Sequence, residues 1–186
     1  MNRYRLLFSG SGGQGIITAA ILLAKAAVIY EGLNAVQSQA YGAEARGGLS
    51  RSDVIISNEE IYFPKVIQPN ILICLTQRAY NNFYRMIRPG GILIVDDFLV
   101  RRDYAADAIV YPLPIYSTMK EEMNTTLGIN ICMLGALIGI TSIVSSDSIK
   151  RTLEDDIPPQ YREHNLRAFE LGLSMVKNRK KFDLQM

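Results

Sequence analysis

Apolar and polar positions alternate in blocks along this 186-residue chain. Short, continuous apolar runs predict buried strands, and longer apolar stretches with helical spacing predict helices. The predicted strands are 4–9, 34–38, 53–57, 61–63, 70–75, 92–95 and 108–111. The predicted helices are 16–30, 78–87, 147–154 and 161–176, and a further buried helix begins near Gly128. The polar turn at 58–60 predicts that strands 53–57 and 61–63 form a hairpin.

Strands that are apolar throughout and alternate with helices are typical of a parallel sheet covered on both faces. No linker, composition shift or internal repeat divides the chain. The pattern therefore predicts one domain, residues 1–186, of the α/β class. It has a mostly parallel sheet, helices on both faces and a helical C-terminal part.

Composition narrows the functions that are available to such a fold. The chain has 20 Lys and Arg against 18 Asp and Glu, a balance too even to indicate nucleic-acid binding. One histidine and two cysteines argue against a zinc site or an iron–sulfur cluster held by this chain. Cys74 and Cys132 lie inside apolar runs, which predicts buried thiols in a reducing compartment. The N-terminus lacks the pattern of a secretory signal, so we expect a cytoplasmic protein.

Residues 123–146 carry no charge and could be mistaken for a membrane span. A spanning helix needs roughly 20 predominantly apolar residues, whereas the dense apolar part here covers only 131–140. We therefore predict a buried helix rather than a membrane span. Gly135 and Gly139 are four residues apart, which predicts that this helix approaches the sheet closely.

A glycine-rich loop lies between the first strand and the first helix. Gly10, Gly12 and Gly15 have the GxGxxG spacing, in which glycine permits a tight turn and the helix N-terminus attracts an anion. A purely steric turn is the alternative interpretation. NAD binding is disfavoured because the second strand ends in Val36-Gln37-Ser38-Gln39, without the acidic residue that holds the ribose. A P-loop is disfavoured because no Lys-Ser or Lys-Thr pair closes the loop.

A second loop, predicted over 38–50, contains the segment YGAEARGG. It should lie at the carboxyl end of the second strand, beside the glycine loop, where α/β sheets bind ligands. Arg46 suits a bidentate bond to phosphate or carboxylate, and Tyr41 suits stacking on a base or filling a partner's pocket. The alternative is a solvated loop with an internal pair between Glu44 and Arg46.

Other polar features favour structural interpretations. His164 is predicted on the surface of a helix, and Asp96-Asp97 after a strand favours a helix cap or solvated turn over a metal or ribose site. Ser9 and Ser11 have no evident base partner, so a nucleophile is not indicated. The basic segment 177–181 follows the last predicted helix and is interpreted as a solvated tail rather than a nucleic-acid patch.

GSGGQG at the start of a helix, followed by YGAEARGG and a strand, resembles the gamma subunits of 2-oxoacid:ferredoxin or flavodoxin oxidoreductases. Within that family the sequence looks most like the gamma subunit of the 2-oxoglutarate enzyme. The likeness continues through the turn 88–91, Asn130 with 134–136, and 165–172, so it covers almost the whole chain. The stretch 124–127 departs from the family's pattern.

The resemblance implies a Rossmann-like subunit that assists oxidative decarboxylation of a 2-oxoacid, with 2-oxoglutarate giving succinyl-CoA. It implies alpha and beta partners, a ferredoxin-like delta subunit, and ferredoxin or flavodoxin as acceptor. Thiamine diphosphate, Mg and iron–sulfur clusters would be held by the partners, and none by this chain alone. No nucleic acid is expected, and a homodimer contact is left open.

The resemblance also implies a set of binding residues, for coenzyme A or for shaping the site between alpha and beta. They are Gly10, Ser11, Gly12, Gly13, Gln14, Gly15, Tyr41, Gly42, Glu44, Arg46, Gly47, Gly48 and Asn130. No catalytic or metal-binding residue is expected. Two alternatives stay open: an independent dinucleotide-binding oxidoreductase, and an interaction module without a ligand.

Overall fold

The computed structural model describes residues 3–41, 48–102 and 106–183. The strands are β1 (Arg3–Ser11), β2 (Asn34–Tyr41), β3 (Leu49–Ser57), β4 (Ile71–Cys74), β5 (Gly91–Asp96) and β6 (Ala108–Leu113). The helices are α1 (Ile16–Ile29), α2 (Gln77–Phe83), α3 (Ile115–Met123), α4 (Ile129–Thr141), α5 (Ser146–Asp156) and α6 (Pro159–Asp183). A 3-10 turn, Tyr84–Met86, extends α2.

The six strands form one sheet in the order β2-β3-β1-β4-β5-β6. Strands β1, β4, β5 and β6 pair in parallel, whereas β3 is antiparallel to both β1 and β2. Only β3 therefore runs against the other described strands. The prediction of a mostly parallel α/β sheet is confirmed.

The predicted hairpin between 53–57 and 61–63 is wrong. Strand β3 instead pairs with β2, from Asn34 opposite Ser57 to Tyr41 opposite Ser50, and residues 61–63 form no strand. Both strands extend into the predicted loop, which leaves only 42–48 between them. Polar residues such as Gln37, Gln39 and Arg51 hid these extensions, because antiparallel strands tolerate polar side chains on a face that is not fully buried once their backbones are paired.

The side chains of the central strands alternate between two apolar cores. Leu6 and Phe8 of β1 face the core formed by α1, α3, α4, α5 and α6, whereas Leu7 faces the core that contains α2. Tyr80 and Tyr84 stack in that second core, with ring centroids 5.3 Å apart. The prediction of helices on both faces is confirmed, and most of the helical mass lies on one of them.

Helix α4 is buried on nearly all sides and packs closely on α6. A Cβ atom at Gly135 would lie 2.1 Å from the Phe169 carbonyl oxygen, and one at Gly172 would lie 1.9 Å from that of Cys132. The small residues therefore bring two helices together, and the prediction that they face the sheet is wrong. None of the described helices combines the length and apolarity needed to cross a membrane.

Candidate functional site

The turn between β1 and α1 is built around the side chain of Gln14. Its Oε1 accepts a hydrogen bond from the Ser11 amide at 2.8 Å, while the Gln14 amide donates to the Ser11 carbonyl at 3.2 Å. A Cβ atom at Gly10 would lie 2.5 Å from Gln14 Oε1. A side chain at Gly10 would therefore displace the folded-back glutamine, whose hydrogen bonds hold the loop from within.

Asn130, in the first turn of α4, holds the end of this loop. Its Nδ2 donates to the Gly15 carbonyl at 3.0 Å, and the side chain is largely buried. Gly15 has φ +71°, and a Cβ atom there would lie 2.5 Å from Asn130 Nδ2. Gly15 is therefore constrained twice, by a left-handed backbone and by a close approach. The two residues are 115 positions apart, and the fold places them in direct contact.

The second loop is tied to the glycine loop by a backbone hydrogen bond. The Gly12 amide donates to the carbonyl of the buried Gly48 at 2.8 Å. Strand pairing places Ser11 opposite Leu49, the first residue of β3, and Tyr41 opposite Ser50. The predicted site residues Gly42, Glu44, Arg46 and Gly47 lie outside the described residues. The Gly48 end of their loop contacts the glycine loop, whereas the Tyr41 end lies one strand further away, across β3.

The loop uses some of its amides internally and leaves others available. The amides of Ser11, Gly12 and Gln14 are all bonded, as described above. Among the described residues, no acceptor receives a hydrogen bond from Gly13, Gly15 or the first-turn amides of α1, and the first bond of that helix runs from Ala19 to Gly15. Available amides at a helix N-terminus suit a phosphate or another anion.

Asp96 lies at the same edge of the sheet, fully buried at the end of β5. Its carboxylate accepts from the amides of Phe98 and Leu99 at 3.0 and 2.8 Å, and from Tyr116, near the start of α3, at 2.6 Å. Burial raises the pKa of the Asp96 carboxyl, although these amide bonds oppose the rise. Asp96 thus joins β5 to α3. Residues 97–99 form a turn and the N-cap residue of α3 is Pro114, so Asp96 is not a helix N-cap, and it is buried rather than solvated.

The remaining candidates have structural partners. Ser9 Oγ donates to the Ile73 carbonyl at 2.6 Å, and His164 Nε2 is 2.9 Å from the Leu127 carbonyl. Cys74 and Cys132 are buried, as predicted, and burial raises the pKa of each thiol to about 12. No group of three or more potential metal ligands occurs within the described ranges.

Sequence reasoning missed a connection beside the site. Gln77, at the start of α2, accepts from the Arg101 amide at 2.6 Å and donates to its carbonyl at 3.0 Å. This pair fixes the segment after β5 against the segment after β4. The start of α2 can be recognised from the local sequence, because Thr76 is its N-cap and accepts a hydrogen bond from the Ala79 amide. The contact between Gln77 and Arg101 cannot be recognised in the local sequence, because the two residues are 24 positions apart.

The family profile for pyruvate ferredoxin/flavodoxin oxidoreductases matches residues 5–175, which is most of the chain. The chain belongs to this family. It is 45% identical over 177 residues to the 2-oxoglutarate synthase subunit KorC of Methanocaldococcus jannaschii, covering 94% of this chain and 95% of the relative. The chain is a gamma-type subunit of a 2-oxoacid:ferredoxin oxidoreductase, as its resemblance implied, and therefore part of an enzyme complex.

Solved structures of this family have the same fold. The keto/oxoacid ferredoxin oxidoreductase gamma subunit from Geobacter sulfurreducens matches with a TM-score of 0.84 and 36% identity, over 94% of this chain and 99% of that one. The 2-oxoglutarate:ferredoxin oxidoreductase from Magnetococcus marinus matches with a TM-score of 0.86 and 24% identity. That match covers 96% of this chain but 32% of the Magnetococcus chain, so the same fold there belongs to a longer polypeptide.

Proposed function

We propose that this subunit serves a complex that oxidatively decarboxylates 2-oxoglutarate with coenzyme A, forming succinyl-CoA and passing electrons to ferredoxin or flavodoxin. The 45% identity to a 2-oxoglutarate synthase subunit, over nearly the full length of both proteins, supports this substrate. The same proposal includes alpha, beta and ferredoxin-like delta partners and a cytoplasmic location. The partners would hold the thiamine diphosphate, Mg and iron–sulfur clusters. The single-domain organisation also stays a prediction.

Within this complex, the glycine loop binds the phosphate-bearing end of coenzyme A. The observation that carries this assignment is the set of available amides at Gly13, Gly15 and the start of α1, fixed in place by Asn130 and Gly48. The Magnetococcus relative is described with 2-oxoglutarate, coenzyme A and succinyl-CoA bound. Tyr41, Gly42, Glu44, Arg46 and Gly47 complete the proposed binding residues.

One observation favours the alternative, a loop that shapes the alpha–beta site without touching coenzyme A. Three of its amides, at Ser11, Gly12 and Gln14, are already bonded inside the protein. A turn with a purely steric role needs only these internal hydrogen bonds. A loop that binds phosphate also needs the amides that have no acceptor within the described residues, such as those of Gly13 and Gly15. Substitution at Gly13 separates the two roles.

Gly13 has φ +94°, and a Cβ atom built there meets no protein atom within 4 Å. Asn and Asp have nearly the same shape, and both tolerate a positive φ better than other side chains. Gly13→Asp and Gly13→Asn therefore form a matched pair that differs in charge. A carboxylate within about 5 Å of a phosphate should raise the KM for coenzyme A roughly tenfold over the Asn variant.

The measurement is steady-state dye reduction by the assembled complex, with coenzyme A and the 2-oxoacid varied in turn. We expect the KM for the 2-oxoacid to be equal in the two variants. Equal KM values for coenzyme A in both variants would contradict phosphate binding at this loop and support the steric role. Arg46→Ala adds a second test, because it should impair acyl-CoA formation more than binding of the 2-oxoacid.

A further inference from the structure

Two cavities lie at the amino ends of the parallel strands, on the opposite edge of the sheet from the glycine loop. One, of about 550 Å³, is lined by Arg3, Asn70, Arg88 and the end of α4. The other, of about 560 Å³, is lined by Arg5, Phe63, Lys65, Ile67 and Arg88. Because they share Arg88 and Pro89, they form one continuous surface, which we call the basic groove.

Four cations line the basic groove: Arg3, Arg5, Lys65 and Arg88. Among the described residues, no acidic side chain lines the groove and no ion pair involves these four cations. Within the described part of the chain, the ion pairs connect other residues, such as Lys25 with Asp156 and Lys150 with Glu170. This clustering of positive charge is local, because the numbers of basic and acidic residues in the whole chain are nearly equal and the net charge is only +2.

Three acidic residues are near the basic groove, and none of them lines either cavity. Asp107 is the nearest along the backbone, since its carbonyl accepts from the amide of the lining residue Gly90 at 2.9 Å. Asp53 points to the same face of the sheet as Arg5 but binds Arg51 through two hydrogen bonds, of 2.7 and 2.8 Å. Glu60 accepts from the Tyr62 hydroxyl at 2.6 Å and lines neither cavity. Among the described residues, therefore, no carboxylate neutralises the groove, and its positive charge suits an acidic group of a partner.

Arg3 gives an independent sign of a missing acceptor. Its Nε atom is buried and, among the described residues, has no hydrogen-bond partner. A buried donor without a partner costs about 1–3 kcal/mol, so such atoms mark a position where a ligand or partner group belongs. A carboxylate in the groove would neutralise the charge of the Arg3 guanidinium, and a small movement of that side chain would let it bond to Nε.

The apolar residues of the groove indicate a polypeptide rather than a small ion. Phe63 and Ile67 are 56% and 66% exposed and stand beside the cations. Exposed aromatic and aliphatic side chains mixed with arginine are typical of protein interfaces. Small ligands of α/β sheets bind at the carboxyl ends of the strands, which is the other edge.

We propose that the basic groove binds an acidic, partly apolar segment of another subunit of the complex. This inference rests on the proposed function only in requiring an assembled complex. The cations provide electrostatic complementarity, which sets orientation and association rate, and the apolar residues provide contact area.

The test compares single charge reversals in the complex. Arg88→Glu and Lys65→Glu act in the basic groove, at exposed side chains, while Lys120→Glu makes the same charge change at an exposed position of α3. We expect each groove variant to bind the remaining subunits at least about tenfold more weakly than Lys120→Glu at about 0.1 M salt. Arg88→Lys, which keeps the charge, should retain most of the affinity.

A photo-crosslinking amino acid at position 68, in the lining of the groove, identifies the segment directly. Crosslinks to an acidic stretch of another subunit would support the inference. Equal affinities of Arg88→Glu and Lys120→Glu, or crosslinks only to neutral or basic stretches, would overturn it while leaving the proposed function intact. If the wild-type chain brings no other subunit with it, the proposed function fails, and this inference fails with it.

Discussion

The glycine loop lies at the carboxyl ends of the parallel strands and the basic groove at their amino ends; we call these the carboxyl edge and the amino edge of the sheet. The two are organised in opposite ways. At the carboxyl edge, the glycine loop is held by Gln14, Asn130 and Gly48 through short, specific hydrogen bonds. At the amino edge, the basic groove has charged side chains whose ion-pair partners are not among the described residues. The carboxyl edge is preorganised by hydrogen bonds within the chain, whereas the amino edge is proposed to bind an acidic segment of another subunit. Substitutions should therefore affect folding at the first edge and association at the second.

The largest effect on stability is expected at Gly15. Gly15→Ala combines an unfavourable positive φ with a Cβ atom 2.5 Å from Asn130 Nδ2, and should lower the free energy of unfolding by about 3 kcal/mol or more. Gly32→Ala is a matched control, since Gly32 has φ +66° but open space around its Cβ position. It should cost only about 1–2 kcal/mol. Equal losses in urea unfolding would show that the contact with Asn130 is unimportant.

A smaller effect is expected for the other partner of this contact. Asn130→Ala removes the bond to the Gly15 carbonyl and should cost about 1–2 kcal/mol, because the lost partner is largely buried. Asn165→Ala removes a similar side-chain bond to a carbonyl, at an exposed position, and should change stability by less than about 0.5 kcal/mol. Similar losses for both variants in urea unfolding would contradict the role assigned to Asn130.

Asp96 predicts a pH dependence at the carboxyl edge. Burial raises its folded-state pKa above the ordinary value of 3.8, so folding favours the protonated carboxyl. The stabilisation from this linkage is complete below the unfolded pKa and is lost as the pH rises through the folded one. The stability of wild type relative to Asp96→Asn should therefore decrease as the pH rises from the ordinary pKa of 3.8 through the raised, folded-state pKa. A difference that grows with pH would contradict this.

The smallest effect on folding is expected in the basic groove. Lys65 and Arg88 are exposed, so Lys65→Gln and Arg88→Gln should change the free energy of unfolding by less than about 0.5 kcal/mol. Thermal and urea unfolding of the isolated chain provide the measurement. A loss above about 1 kcal/mol would mean that these cations stabilise the fold itself, and the contrast between the two edges would disappear.

The sequence predicts best what depends on neighbouring residues. Strand β1, the glycine loop and α1 follow from an apolar run, three glycines and a helical repeat, all within 27 residues of one another. The pairing of β2 with β3 was missed because polar side chains on those strands resemble a loop. Gly135 was expected to bring α4 close to the sheet, whereas it lies against the Phe169 carbonyl of α6, a helix whose crossing geometry no local pattern specifies.

The site residues show the same limit. Asn130 was assigned by family resemblance, but its bond to Gly15 depends on the complete fold. The basic groove was not predicted, since Arg5 and Lys65 are 60 positions apart and neither belongs to a recognisable motif. Only the sheet topology brings these cations together at one edge.

The most direct test of the account is gentle purification of this chain, tagged at its native level. The partners are identified by mass, and the eluate is assayed for dye reduction that depends on 2-oxoglutarate and coenzyme A. The account predicts larger or cluster-bearing partner subunits together with that activity. A chain that elutes alone, stable and inactive, would contradict the proposed function.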